Sequence, residues 1–156
     1  MTKQEHIEQL LQITGLTVEK RITFWTEGAE LDAKEQKIVL YNQDLNVDNN
    51  VQYITILHEI GHWITLPNGG RGYRHKDGNN VVGVEVEAWK WAKMNSVEWT
   101  SDSQKNMEKM IYSYYNTAPG RSKIVDTNPN GYKWDNIMEY LNDDSVAQDK
   151  RFMEGI

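Results

Sequence analysis

The chain has 156 residues, 38% of them hydrophobic, a formal net charge of −6 and no cysteine. That length suits one compact core and leaves too little for two independent domains, and the lack of cysteine excludes disulfides and thiol chemistry and fits a reducing cytosol. The opening Met1-Thr-Lys-Gln-Glu-His6 has no apolar signal core and no stretch approaches the ~20 apolar residues of a membrane span, so a soluble cytoplasmic protein is expected.

Thr2 with Glu5 three residues later makes a capping-box pattern, and Ile7, Leu10, Leu11 and Thr14 mark one face of a first helix that Gly15 can end. His6 lies on this helix and reads as a surface residue. Lys20–Thr26 and Lys37–Tyr41 are rich in β-branched and aromatic residues and read as strands. Between them, Glu27-Gly28 and Asp32-Ala-Lys-Glu35 read as a turn or short irregular link.

Asn49 and Gln52 can cap the next helix, and late in it stands His58-Glu59-Ile60-Gly61-His62, an H-E-x-x-H motif. One helical turn separates the histidines, so both imidazoles project from one face and can hold one metal ion. Glu59 sits about 100° round the helix, near enough to work on a water at the metal without coordinating it. The flanks Val51–Leu57 and Trp63–Leu66 are apolar enough to bury the helix. A histidine pair can also be a satisfied pair at a core edge, but burying two imidazoles and a carboxylate without a partner is costly, and a metal supplies the partner.

The following loop, Asn68 to Gly78, is rich in glycine and carries Tyr73, Arg74 and His75. Gly69-Gly70-Arg71-Gly72 lacks the G-K-[ST] ending of a phosphate loop, and Arg71, Arg74 and Lys76 form too short a basic cluster for nucleic-acid binding to be expected. A helix begins near Val81 and carries Glu85 and Glu87. Another starts at Ser101 with Gln104, its buried stripe expected at Met107, Met110, Ile111, Tyr114 and Tyr115. Pro119-Gly120 and Asn128-Pro-Asn-Gly131 mark turns. Trp134, Ile137, Met138 and Leu141 suggest a last short helix. Residues 1–142 then form a single domain, and 143–156 a polar carboxy-terminal tail.

A zinc site needs a third protein ligand and an open fourth position. The longer H-E-x-x-H-x-x-G-x-x-H pattern fails, because Thr65 and Asn68 stand where it needs glycine and histidine. With no cysteine, His6 far upstream and His75 in a glycine-rich loop, a carboxylate on the next helix is the remaining option. Glu85 and Glu87 are two positions apart and cannot share a face. Glu85 shares its face with Trp89 and Ala92, a stripe suited to packing on the motif helix. Glu87 shares its face with Lys90, with which it can form a solvated pair. Glu85 is the better candidate.

Asn46 to Met94, about a third of the chain, resembles the ImmA/IrrE-type zinc metallopeptidase domain of bacteria, phages and mobile elements. The matching features are a strand ending in Leu40-Tyr-Asn42, a short connection, the His-Glu-Ile-Gly-His helix, a variable loop and then Glu85-x-Glu87-Ala88-x-x-Trp91-Ala92. That last piece is similar to the family's E-x-E-A-N-x-F-A signature, with Trp91 in place of Phe. The resemblance implies that Glu85, the first glutamate of the signature, is the third ligand. Trp89 replaces the usual Asn or Asp, so its hydrogen bond to the ligands must come from elsewhere, and Lys93-Met-Asn-Ser replaces the family's L-L-M-P.

The expected fold is α+β and zincin-like, a small sheet packed on helices with the metal between the motif helix and the next. The expected activity is hydrolysis of a protein or peptide substrate, for which the resemblance suggests a transcriptional repressor. Zn2+ would acidify a water and polarise the scissile carbonyl, with Glu59 as general base and then general acid. Donors to the developing oxyanion are sought at Tyr73, Arg74 and His75, or at Tyr112, Tyr114 and Tyr115. Trp63, Trp89 and Trp91 are expected to line or back the cleft, and Trp25 to lie on a strand edging it, where an extended peptide can add. Two other readings remain: a zincin-fold binding or regulatory module without efficient catalysis, and a phage or plasmid protein acting on a host defence component.

Overall fold

The structure, a computed structural model, describes residues 1–24, 27–66, 81–115 and 134–143, without the side chains of 81, 82, 114 and 115. The capping box forms as expected at the start of α1 (Lys3–Thr14): Thr2 Oγ1 accepts from the Glu5 amide and the Glu5 carboxylate accepts from the Thr2 amide, both at 3.1 Å. Gly15 closes the helix at φ +75°, its N–H on the Leu11 carbonyl, a conformation that a Cβ would strain.

Three strands follow, β1 (Thr17–Arg21), β2 (Gly28–Asp32) and β3 (Lys37–Tyr41), in the order β1-β3-β2 with β1 parallel and β2 antiparallel to β3. The first strand lies earlier than the sequence suggests, and of its expected span Trp25 and Thr26 lie outside the described residues. β2 occupies what reads as a link. Gly28-Ala-Glu-Leu-Asp32 has no β-branched residue, and its pairing with the Ile38-Val-Leu40 run overrides that weak propensity. The turn at 33–36 is where it is expected, with the Asp32 carboxylate accepting from the Glu35 amide.

Val18, Leu31 and Ala29 share the inner face of the sheet with the buried Ile38 and Leu40. The outer face is charged: Glu19 accepts from Lys37 at 2.9 Å and from Arg21, and Tyr41 donates to Glu30. Among the described residues the sheet packs on helices through its inner side, and on the outer face Val39 is buried between Glu19 and Glu30.

The central element is α2 (Asn50–Thr65), which meets the sheet, α1, α3 (Val81–Asn95) and α4 (Ser101–Tyr115). Asn49 caps it, accepting from the amides of Val51 and Gln52. The Gln52 side chain turns instead to the preceding loop, bonding Gln43, the Asp44 carbonyl and the Asn46 amide, while Gln43 donates to the Gly28 carbonyl of β2. Tyr53, Ile54, Ile56, Leu57 and Ile60 are fully buried, each contributing roughly 1.5–3 kcal/mol relative to exposure. Where α2 crosses α3 the backbones nearly touch: a Cβ built on Gly61 would stand 2.6 Å from the Ala88 carbonyl oxygen.

The cap of α4 is Thr100, one residue before the expected Ser101; its hydroxyl accepts from the Ser103 amide, and Ser103 Oγ accepts from the Thr100 amide. Met107 and Ile111 are buried as expected, but Met110 is exposed, because α4 meets α2 and α3 along a narrow seam. The final helix, α5 (Trp134–Asn142), docks on α3. Lys90 is fully buried, not solvated: its ammonium bonds the carbonyls of Tyr140 and Asp143 at the carboxy end of α5, where unpaired carbonyls and the helix dipole favour a cation. The tail is described only to Asp143. Among the described residues no helix is long and apolar enough to cross a membrane.

His6 corrects a further expectation. It is buried, and its Nδ1 is hydrogen-bonded to Tyr53 Oη at 2.8 Å while Tyr53 Oη accepts from the Val97 amide. Packing of α1 on α2 covers more than the Ile7–Leu10 stripe, and His6 is caught inside. Burial holds its pKa below the ordinary 6.5. Below pH 6.5 the unfolded chain therefore takes up a proton that the folded chain resists, and stability falls as the pH drops. His6→Asn keeps a hydrogen-bonding amide near the Nδ1 position and cannot titrate; urea unfolding at pH 7 and pH 5 should show a smaller acid loss for it than for wild type, and equal losses would refute the role given to His6.

Gly61→Ala should cost about 1–3 kcal/mol in the same assay, the range for forcing a methyl into a packed contact. Ala88→Gly should not rescue it, since the obstacle is backbone; a Gly61→Ala protein as stable as wild type would show that the crossing is looser.

Candidate metal centre

The motif residues sit in the buried middle of α2, and the glycine within the motif lets α3 approach closely enough to deliver Glu85. His58 Nε2 and His62 Nε2 are 3.0 Å apart. Glu85 Oε2 lies 2.8 Å from the first and Glu85 Oε1 3.3 Å from the second. Ligands held at about 2.0–2.1 Å around a tetrahedral ion are separated by roughly 3.3 Å, so the three groups converge on a volume of the right size. All three are buried. The Glu59 carboxylate is the fourth member, its oxygen within 4.8 Å of the two histidine nitrogens in a buried His58-Glu59-His62 group able to hold a metal ion. One Glu59 oxygen is committed to the Leu31 amide of β2 at 3.0 Å.

The electrostatics are those of a site built around positive charge. Burial pushes the Glu59 carboxyl up to about 8, with the Leu31 bond and His62 opposing. Burial pushes His58 down to about 4. For His62 burial also opposes the charge, but the bond to Glu85 and the charges of Glu59 and Glu85 outweigh it and raise its pKa. Glu85 is held well below the usual carboxylate range: burial works against ionisation, and the bonds from His58 and His62 overcome it. The pair of histidines thus splits, with His62 the better proton acceptor.

The outer contacts of the histidines are unusual. Bonding a metal through Nε2 leaves a proton on Nδ1 that wants an acceptor, yet among the described residues His58 Nδ1 and His62 Nδ1 have none, nor has Trp89 Nε1. Instead Trp89 stacks on His58, centroids 4.2 Å apart and planes at 21°, and His58 meets His62 edge-on at 4.4 Å. Ring orientation here comes from packing. Trp89 backs the site as expected, Trp91 is buried in the core behind it and Trp63 packs on the core from a partly exposed position.

His58, Glu59, His62 and Glu85 are thus brought together. Glu87 is not: it points outward from α3, accepting from Tyr140 Oη. Tyr112 is exposed on α4 with its ring against Trp134. Tyr73, Arg74, His75, Trp25 and the side chains of Tyr114 and Tyr115 lie outside the described residues. Leu31 escaped the sequence reading, since a main-chain donor leaves no signature in residue type and its strand reads as a link. No family model, curated protein or solved structure matches the chain.

Zinc analysis of wild type beside Glu85→Ala, Glu87→Ala and His75→Ala checks the ligand set. Glu85→Ala should lose more than the ~10–100-fold in affinity that an outer-shell partner is worth, with the other two near wild type. Loss on Glu87→Ala or His75→Ala instead would displace Glu85 from the site.

Proposed function

We propose that the chain is a zinc-dependent metallopeptidase of the ImmA/IrrE type, hydrolysing a peptide bond in a protein substrate such as a repressor. The observation that carries this reading is the convergence of His58 Nε2, His62 Nε2 and the Glu85 carboxylate within 2.8–3.3 Å, with the Glu59 carboxylate beside them. Two imidazoles and one carboxylate form a borderline donor set that suits zinc and leaves a fourth position open. The absence of cysteine supports a cytoplasmic setting.

When bound, zinc supplies the acidification of a water and the polarisation of the scissile carbonyl. His58 and His62 bind as neutral ligands and Glu85 offsets part of the ionic charge. Glu59 takes the proton of the attacking water and returns it to the leaving nitrogen. Its depressed acidity in the buried site makes it a stronger base than a solvated carboxylate, and the cation would restrain that shift. β2 provides an edge along which an extended peptide can lie.

Glu59→Gln should retain zinc and lower kcat by about 100- to 10,000-fold, measured on a candidate repressor or a quenched-fluorescence peptide pool. Zinc binding with no turnover, and no biological effect of Glu59→Gln, would favour the binding-module reading. Failure to take up zinc would remove both.

A further inference from the structure

β2 is the outer strand of the described sheet, and its two edges differ. Thr17 N–H donates to the Gln36 carbonyl and Asn42 N–H to the Arg21 carbonyl, so the even-numbered residues of β3 turn toward β1. Lys37, Val39 and Tyr41 then face β2, where their register partners are Asp32, Glu30 and Gly28. Ala29 and Leu31 accordingly direct both N–H and C=O to the opposite, outer edge. A peptide adding as a strand bonds such outward residues. β2 offers two of them, and they are not equivalent. The Leu31 N–H is taken by Glu59 Oε2 at 3.0 Å, whereas the outward N–H and C=O of Ala29 have no partner among the described residues.

We propose that the Leu31 amide is the positioning donor for Glu59, and that a peptide entering along β2 pairs with the strand at Ala29 and not through the Leu31 N–H. The second half rests on the peptidase reading. Two residues beyond Ala29, roughly 7 Å along the strand, a substrate carbonyl seeking the Leu31 N–H meets the Glu59 carboxylate. Acceptor faces acceptor, so that carbonyl cannot complete the ladder and is turned out of it, beside His58 and His62. The strand pairing stops where the chemistry begins. One main-chain donor therefore does two things: it fixes the base and it sets the register of the substrate.

The test uses zinc-loaded full-length protein labelled with ¹⁵N-leucine and ¹⁵N-alanine, with amide hydrogen exchange read alone and with an extended tripeptide hydroxamate. In the free protein the Leu31 amide should exchange about tenfold or more slowly than that of Ala29, and Glu59→Ala should abolish the difference. Adding the hydroxamate should protect Ala29 and leave Leu31 unchanged. Proline is tolerated on an outward-facing edge position, so Ala29→Pro should fold and weaken hydroxamate binding by about 3- to 10-fold, one hydrogen bond's worth. A Leu31 amide that exchanges as fast in wild type as in Glu59→Ala would overturn the tie, and protection gained at Leu31 in place of Ala29 would overturn the register. If neither zinc nor hydroxamate binds, the peptidase reading fails and the register falls with it, while exchange at Leu31 in the metal-free protein still decides whether the tie exists.

Discussion

The close crossing of α2 and α3 at Gly61 and Ala88 is the constraint on which the rest of the structure depends. The two histidines are on one helix and the carboxylate that meets them is on the other. Their separation of 2.8–3.3 Å exists only because the backbones approach closely, with no room for a Cβ at position 61. The same approach lays Trp89 flat on His58. The glycine inside the motif is therefore a packing residue, and the geometry of the site is set by the distance between two helix axes.

That packing places four titratable groups in an apolar interior, an arrangement that costs several kcal/mol per uncompensated ion. Glu85 remains ionised because both imidazoles bond it, and His62 keeps proton affinity because two carboxylates surround it. Glu59 lacks such a cationic partner apart from His62, and burial drives it toward the neutral form. A divalent ion would favour the ionised form of both carboxylates. The chemistry of the donor set and its electrostatics point the same way.

The sheet contributes through its edge. β2 is short and has a weak strand propensity, but it is held at one end by Gln43 on the Gly28 carbonyl and toward the other by Glu59 on the Leu31 amide. Gln43 is bonded to Gln52 in the first turn of α2, so both anchors lead back to the motif helix. Displacement of the strand would move the base, and displacement of the helix would move the strand. The charged outer face of the sheet leaves the inner face and the open edge as its working surfaces.

Much of the frame was legible from residue order, because local signals carried it. The Thr2–Glu5 capping box, the Gly15 stop, the Asn49 cap and the i, i+4 histidines are fixed by a few neighbouring residues. Helical facing allows only one of Glu85 and Glu87 to point at the site, and the stripe Glu85 shares with Trp89 and Ala92, with the family signature it resembles, favoured Glu85. Tertiary structure decided what depends on contacts remote in sequence. It made a strand of Gly28–Asp32 by pairing it with β3, buried His6 against Tyr53, and drew Lys90 to the carbonyls of α5, 50 and 53 residues away. It also tied Glu59 to the Leu31 amide, a donor present in every residue but proline. Periodicity and side-chain chemistry reveal which groups a helix presents; only the packed chain reveals what each of them meets.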